Sequence, residues 1–302
     1  IYSYDGTRST EPFQKFQEIP TFGAVDWEHF VIDNKHYLVV ANYHNAGQWN
    51  QNSTIYRYDD TKSSDPFYQI QSIPTKGATD WEYFSIAGKH YLVVANSQSA
   101  GNFDLDSIIY KYDATNSLNP FQEFQRIPTK YANDWTHFSI NDKDYLVVAN
   151  FYSGDKWISD SSTNYYQDSV IYLHDSTKTS DPFQLFQSIG TKGAKDWEYF
   201  SINGKHYLAV ANFKSGSGHA TDSVIYQYDE TKLTNPFYEI QNIPTKGATD
   251  LEYFSIAGKH YLAVANQYNE KNWNLDSIIY QYDDSKSTNP FVEYESIPTK
   301  GA

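Results

Sequence analysis

Five aspartates recur at one place in a repeated segment of this 302-residue chain, and their carboxylates are the most regularly spaced groups that could do chemistry. The intervals between them are 54, 54, 62 and 54 residues. If the fold gathers these groups, like charges raise one another's pKa or collect a hard cation such as Ca²⁺, which takes several oxygen ligands. The five are Asp26, Asp80, Asp134, Asp196 and Asp250.

A structural role is the alternative for these carboxylates, because a strictly repeated residue is what a scaffold requires. In that case each aspartate accepts hydrogen bonds from the backbone of the preceding connection and pairs with a lysine there. The lysines at the repeated position are Lys76, Lys130, Lys192, Lys246 and Lys300. A required cofactor is not indicated on either interpretation, and Ca²⁺ or another cation on the axis is the option that the acidic ring leaves open.

Aromatic side chains form the second candidate set, since each repeat holds a ring seven residues after a repeated asparagine. A ring fixed in an otherwise polar loop is a platform for a sugar, for a partner's side chain or for an apolar small molecule. The alternative is that these rings fold down and fill gaps between repeats. The rings are Trp49, Phe103, Trp157, His219 and Trp273.

The third repeat has a polar loop eight residues longer than the others, over residues 151–167. Loops of this length inside a domain are usually functional or disordered. This one also carries Tyr152, Tyr165 and Tyr166, which favours function and adds these three residues to the candidate binding site.

Catalysis finds little support in the sequence. It contains no Gly-x-Ser-x-Gly, no His-Glu-x-x-His and no phosphate-binding glycine loop. Its acids recur in every repeat, whereas an active site needs one asymmetric constellation. Four histidines, each in a different one of the five tight turns, are too far apart to share a metal and are expected to be solvated: His36, His90, His206 and His260. The sequence therefore predicts a protein that is not an enzyme.

Composition narrows the class of partner. The net charge of −14 argues against nucleic acid and anionic membranes, and no apolar run is long enough to span a bilayer. The absence of cysteine excludes disulfides and thiolate metal sites. Aromatic residues reach 18%, with 28 tyrosines, which favours strands over helices.

The elements that must position these residues are short strands. In the second repeat, runs of alternating pattern cover residues 81–86, 90–95, 107–112 and 121–127, with a tight turn between the first two. Four strands in a unit of about 54 residues are typical of a β-propeller blade. We name them A to D from the channel outwards, so that the B–C and D–A loops share one face. A solenoid is the alternative, but it lacks the long D–A connection.

Counting strands predicts one domain, 1–302, with five complete blades and the outer two strands of another. The repeats are 1–25 (partial), 26–79, 80–133, 134–195, 196–249 and 250–302. Since a blade without its inner strands exposes an edge, we expect that residues precede Ile1 or that a second copy completes the blade. Restored upstream residues would give six or seven blades.

The repeated segments resemble the EAR/EPTP (epilepsy-associated) repeat of LGI-type proteins. The resemblance rests on Trp-Glu-x-Phe-x-Ile-x-x-Lys-x-Tyr-Leu-x-Val-Ala-Asn, then Asp-Ser-x-Ile-Tyr-x-Tyr, then Pro-Phe-x-x-x-Gln-x-Ile-Pro-Thr-x-Gly-Ala. It covers essentially the whole chain, and it implies a propeller, usually of seven blades, that binds partner proteins outside the cell and can hold ions on its axis.

Together these observations predict a secreted, non-catalytic propeller that binds a glycan or a protein through its B–C loops. A carrier of an aromatic or lipophilic small molecule, with an aromatic pocket or subunit interface, is the alternative. An enzyme is the third possibility.

Overall fold

The structure is a computed structural model that describes residues 1–154, 162–216 and 218–302, with the side chains of residues 162 and 163 left aside. It contains five four-stranded antiparallel sheets and one two-stranded sheet. The two-stranded sheet pairs β1 (Tyr2–Tyr4) with β2 (Phe13–Lys15). These strands are C and D of a further blade, as the strand count predicts.

Five blades follow in chain order, each with its strands A to D in sequence. Blade 1 contains β3 (Ala24–Ile32), β4 (Lys35–Asn42), β5 (Asn52–Tyr58) and β6 (Phe67–Pro74). Blade 2 contains β7 (Ala78–Ile86), β8 (Lys89–Asn96), β9 (Asp104–Tyr112) and β10 (Phe121–Lys130).

The remaining blades repeat this order. Blade 3 contains β11 (Ala132–Ile140), β12 (Lys143–Asn150), β13 (Tyr166–His174) and β14 (Phe183–Lys192), with a short 3-10 helix, η1 (Ser162–Tyr165), before β13. Blade 4 contains β15 (Ala194–Ile202), β16 (Lys205–Asn212), β17 (Ser223–Tyr228) and β18 (Phe237–Ile243). Blade 5 contains β19 (Ala248–Ile256), β20 (Lys259–Asn266), β21 (Asn274–Tyr282) and β22 (Phe291–Lys300).

The A–B turn of each blade is a tight hairpin. In blade 2 it is formed by Ala87 and Gly88, whose φ values of 48° and 73° are both positive. Two consecutive residues with positive φ are the requirement of a type I′ turn, whose twist matches that of the strands it joins. The hairpin expected from the sequence is therefore confirmed.

Hydrophobic packing lies between blades. One core joins Phe30 and Tyr37 of blade 1 to Trp81 and Leu92 of blade 2, and three equivalent cores join the later pairs. The A strands of successive blades lie next to one another, so the sheets are arranged around a common axis. The predicted fold, a β-propeller of four-stranded blades, is confirmed.

A buried glutamine also connects each blade to the next. The side chain of Gln71 donates to the carbonyl of Phe121 at 2.8 Å and accepts its N–H at 2.9 Å. Both polar groups of the amide and both backbone groups are therefore satisfied without water. The same pairing is made by Gln17 with Phe67, Gln125 with Phe183, Gln187 with Phe237, and Gln241 with Phe291.

Side chains that are buried between blades elsewhere in the fold are exposed in the first and last complete blades. Trp27 of blade 1 is 39% exposed, whereas its equivalents Trp81 and Trp135 are buried. In blade 5, Ile256 is 61% exposed and Tyr294 is 57% exposed. Among the described residues, no helix has the length and apolar character needed to cross a membrane.

Candidate binding face and acidic channel

The B–C and D–A loops lie together on one face, which we call the loop face. Gly77, in the D–A connection, donates its N–H to the carbonyl of Trp49 at 2.6 Å and accepts the N–H of Ser97 at 3.1 Å. Each D–A connection therefore passes between two B–C loops. Gly77 has a φ of 54°, and a Cβ there would lie 3.0 Å from the carbonyl oxygen of Gln98, so glycine suits this crossing.

The repeated asparagine holds this arrangement. The side chain of Asn96 accepts the N–H of Lys76 at 2.9 Å and donates to the carbonyl of Asp106 at 3.0 Å. It thus joins the D–A connection to the start of strand C. The same two bonds are made by Asn150, Asn212 and Asn266.

The candidate ring residues make the same backbone hydrogen bond in each blade, and this bond shows which residue of blade 3 is equivalent to the others. The carbonyls of Trp49, Phe103, His219 and Trp273 each accept the N–H of the D–A residue that follows. In blade 3 the carbonyl that does so is that of Tyr165, bonded to Gly193 N at 2.6 Å. Tyr165 is therefore the equivalent ring in the longer loop. Trp157, which the sequence suggested, lies outside the described residues.

Two of the candidate rings are buried, so their assignment to an exposed platform is wrong. Phe103 is 0% exposed and Tyr152 is 2% exposed. With Tyr131 and Phe151 they form a packed group, the aromatic cluster, in which Phe103 and Tyr152 meet edge to face at 5.2 Å. The alternative interpretation, that a ring fills a gap between blades, holds for these two.

Other rings remain accessible. Trp273 is 56% exposed and Tyr166 is 51% exposed, while Trp49, Tyr165 and His219 are partly buried. Trp273 packs on Tyr268 with ring centres 4.4 Å apart, and Trp49 packs on His44 at 4.3 Å. His219 bonds to the Glu270 carboxylate through both its backbone N–H and its ring. The loop face therefore has a buried aromatic centre with accessible rings around it.

Two further residues of this face escaped the sequence analysis. Tyr131 stands where the other repeats have glycine, and it keeps the left-handed backbone with a φ of 44°. Its ring belongs to the aromatic cluster and its hydroxyl contacts that of Tyr43 at 2.8 Å. A non-glycine residue in this conformation is strained, so it indicates a position with a specific role. The break in Thr-Lys-Gly-Ala at Tyr131 was the available signal.

Lys195 is the second residue of the loop face that the sequence analysis did not find. Its ammonium donates to the Asn133 side chain at 3.0 Å and lies 4.3 Å from the centre of the Phe151 ring. Burial lowers the pKa of Lys195 to about 8, since the charged form loses water. The available signal was that Lys195 precedes the repeated aspartate, where blades 2 and 5 have threonine.

The repeated aspartates face the channel and bond to the neighbouring blade. Asp80 accepts the N–H of Trp135 at 2.9 Å, and Glu82, two residues later, accepts that of His137 at 2.9 Å. Asp26, Asp134 and Asp196 repeat the first bond, and Glu28 and Glu198 repeat the second. The acceptor role is the one expected of a scaffold. The donor, however, is the A strand of the next blade and not the D–A connection.

The expected pairing of these aspartates with lysine is wrong. In the ion pairs among the described residues, none joins a channel aspartate to a lysine. Blade 3 has no glutamate two residues after its channel aspartate. Thr136 stands there instead and donates to the Trp197 carbonyl at 2.6 Å.

Burial makes these carboxylates harder to ionise. It raises the pKa of Asp134, Glu28 and Glu198 to about 7, and it raises those of Asp80 and Glu82 well above their usual range. Nearby like charges add to the effect, since Asp80 faces both Asp134 and Asp26. In the described part of the chain, no three acids or histidines are placed to ligate one metal ion. The channel cation remains a prediction.

Comparison with known families identifies the repeats. The family model described as the EPTP domain matches residues 13–59, 67–113, 121–175, 183–229 and 237–283. Each matched unit begins at strand D of one sheet and continues through strands A to C of the next. The sequence unit is therefore offset from the structural blade.

Two curated relatives cover nearly the whole chain. The human thrombospondin-type laminin G domain and EAR repeat-containing protein is 37% identical over 96% of this chain and 42% of its own length. The leucine-rich repeat LGI family member 3 of Macaca fascicularis is 25% identical over 93% of this chain and 43% of its own. The chain thus spans about four tenths of the length of these relatives.

Solved structures share the fold at low sequence identity. A putative 6-phosphogluconolactonase from Bacteroides fragilis has a TM-score of 0.60 at 15% identity, over 99% of this chain and 77% of its own. An exo-β-1,3-galactanase from Phanerochaete chrysosporium has a TM-score of 0.51 at 10% identity, over 98% of this chain and 65% of its own. At these identities the likeness concerns the fold alone.

Proposed function

Because the chain belongs to the EPTP-domain family, we propose that it is an extracellular, non-catalytic recognition domain that binds a protein or a glycan through its loop face. The observation that carries this proposal is the accessible ring of Trp273, supported from behind by Tyr268. An aromatic ring held in place by a second ring offers a large contact area at little cost in side-chain entropy. Such rings are frequent binding anchors.

The loop face has the features of a rigid platform. The aromatic cluster fixes its centre, and the asparagine and D–A hydrogen bonds fix the loops around it. Trp49, Tyr165, Tyr166, His219 and Trp273 are then the rings available to a ligand. The arrangement differs from blade to blade, so one face can recognise an asymmetric partner.

Non-catalytic action is supported by how the acids are used. The channel carboxylates repeat from blade to blade and accept hydrogen bonds from backbone N–H groups. General acid–base catalysis requires an acid or base that can exchange its proton with a substrate at one asymmetric site.

A carrier of an aromatic small molecule has less support. The rings that would line its pocket, Phe103, Tyr131, Phe151 and Tyr152, pack on one another. Completion of the two-stranded sheet by a second copy remains a prediction, which sedimentation of the purified chain would test.

The experiment is a binding screen with matched variants. The intact chain is applied to a glycan array and to a panel of extracellular protein domains, and each ligand found is titrated against Trp273→Ala and Trp49→Ala. We expect affinity to fall about tenfold or more in at least one variant, as for central aromatic anchors. Tyr294→Ala is the control, because Tyr294 is equally exposed but lies in strand β22. Unchanged affinity in both tryptophan variants would contradict the proposal, as would an equal loss in the control.

A further inference from the structure

The opposite face, which carries the A–B turns, has a groove between blades 2 and 3 that we call the lysine groove. Its volume is about 350 Å³, and its lining includes Lys89, Lys111, Lys178, His174, Tyr91 and Phe124. The lining contains no aspartate or glutamate, although the chain as a whole carries a net charge of −14. A local excess of positive charge on an acidic protein attracts anions.

The other junctions between complete blades have two cationic residues at the three lysine positions, whereas this groove has three. Between blades 4 and 5, the equivalent groove has Gln227 in place of Lys111 and is also lined by Glu239 and Asp284. Between blades 3 and 4, Leu173 replaces Lys111. Between blades 1 and 2, Arg57 replaces Lys111 and keeps its positive charge, and Asn116 replaces Lys178. Because the repeats are otherwise close copies, this concentration of lysines departs from the scaffold pattern.

The three lysines of the groove are not held in ion pairs by acidic partners that the structure describes. In the ion pairs among the described residues, Lys89, Lys111 and Lys178 do not take part. Lys178 donates to the neutral side chain of Gln184 at 2.7 Å, and the Lys111 ammonium lies 5.5 Å from the centre of the Phe124 ring. Neither partner neutralises an ammonium group.

The Tyr91 hydroxyl is a further polar group of this groove. Tyr91 is only 3% exposed and lines the groove. In the junction of blades 4 and 5 the equivalent hydroxyl, of Tyr207, contacts that of Tyr282 at 3.4 Å. Here His174 stands in place of that second tyrosine, and Tyr91 has no hydrogen-bond partner in the described part of the chain. The Tyr91 hydroxyl is therefore open to the groove, where it can donate a hydrogen bond to a bound anion.

The surroundings limit the size of the anion. The groove adjoins a cleft of about 980 Å³ that shares His174 and Ser176, and two carboxylates, Asp142 and Asp144, outnumber the single lysine, Lys143, in the lining of that cleft. An extended polyanion that continued into this cleft would meet those carboxylates. A compact group with one negative charge would not.

We propose that the lysine groove binds a sugar residue that bears a carboxylate or a sulfate. The three ammonium groups and the Tyr91 hydroxyl hold the anionic group through charge-assisted hydrogen bonds, which are the stronger class. The apolar face of the sugar packs on Phe124, and the hydroxyls of Ser176 and Thr179 face its hydroxyls. This site lies on the face that carries the A–B turns, and it does not depend on the function proposed for the loop face.

The test is a calorimetric titration of the full chain at low ionic strength with methyl β-glucuronide, glucose 6-sulfate and neutral methyl β-glucoside. We expect one or both acidic sugars to bind and the neutral sugar not to bind. Added salt should weaken binding, because it screens exposed charges. A short peptide with a terminal glutamate is a fourth probe, and tighter binding of this peptide than of either acidic sugar would overturn the sugar assignment.

The repeats supply the variants. Lys111→Gln introduces the residue found at Gln227, and Lys178→Asn introduces the one found at Asn116, so both should fold. Each should weaken binding about tenfold, the scale of one charge-assisted contact, and Tyr91→Phe should weaken it severalfold. Lys286→Asn, in the groove of blades 4 and 5, is the control and should have no effect. No binding of either acidic sugar, or the same response in the control as in Lys111→Gln, would refute the proposal.

Discussion

Replacement of Glu198 by glutamine tests whether the channel carboxylates oppose folding when they ionise. Glu198 accepts the N–H of Tyr253 at 2.9 Å, and a glutamine carbonyl can accept the same bond. Burial, together with the charges of Glu252, Asp250 and Asp134, raises the pKa of Glu198 from 4.5 to about 7. The substitution therefore removes a charge and keeps the geometry.

The size of the effect follows from the pKa. A rise of about 2.5 pH units, at about 1.4 kcal/mol for each, gives roughly 3 kcal/mol as an upper limit for the cost of the ionised form. At about pH 8, we expect Glu198→Gln to increase the free energy of unfolding by about 2 kcal/mol. At about pH 5, where the folded protein already holds the proton and only the unfolded chain is partly ionised, the gain should fall below about 1 kcal/mol.

The assay is thermal unfolding at both pH values, in EDTA and again with Ca²⁺. A gain of about 2 kcal/mol corresponds to a rise in Tm of roughly 4 °C for a domain of this size. Glu252→Gln is the control, because Glu252 has the same position in blade 5 but is exposed. A loss of stability at about pH 8 in EDTA would refute the reasoning. A loss that occurs only with Ca²⁺ would instead support a cation in the channel.

Three further outcomes are expected. The Tm of the unmodified chain in EDTA should be higher near about pH 5 than near about pH 8. Carboxylates with raised pKa values stabilise the fold while they are protonated, and this stability is lost as the pH rises through about 7. A Tm that does not change with pH would contradict this. Gln125→Leu should lower the free energy of unfolding, measured in urea, by about 2–4 kcal/mol, because it leaves the buried N–H and carbonyl of Phe183 unpaired. Glu295→Leu, at the equivalent but exposed position of blade 5, is the control and should change the free energy of unfolding little. Phe103→Ala should lower the free energy of unfolding by about 3–5 kcal/mol, whereas Trp273→Ala should lower it by under about 1 kcal/mol. Equal losses in the two variants would refute the distinction between buried and accessible rings.

The fold could be predicted from the sequence because its determinants are local. Strands A and B are covered on both sides, so β8 shows a nearly continuous apolar run, and Ala87-Gly88 marks its turn. Each copy repeats the same signals at the same spacing. The repeated acids, too, were correctly placed on the innermost strand.

The site could be predicted only in part, because burial of a loop ring depends on residues distant in sequence. Phe103 and Trp273 hold the same repeat position, yet Phe103 is covered by Tyr131 and Tyr152 and Trp273 is not. The offset in blade 3 was also hidden, since counting from Asn150 reaches Trp157 while the hydrogen bonds select Tyr165. Neither contact leaves a pattern within one repeat.

The glutamine bridges between blades have a consequence for how such a chain can change in evolution. Gln71 binds the main chain of Phe121, and a main chain offers the same N–H and carbonyl whatever side chains surround it. A blade therefore presents its successor with a connection that does not depend on the successor's sequence. Tandem duplication of the coding segment would insert a copy that is already compatible with both neighbours. Loop residues, such as those of the long insertion in blade 3, can then diverge while copy number changes independently.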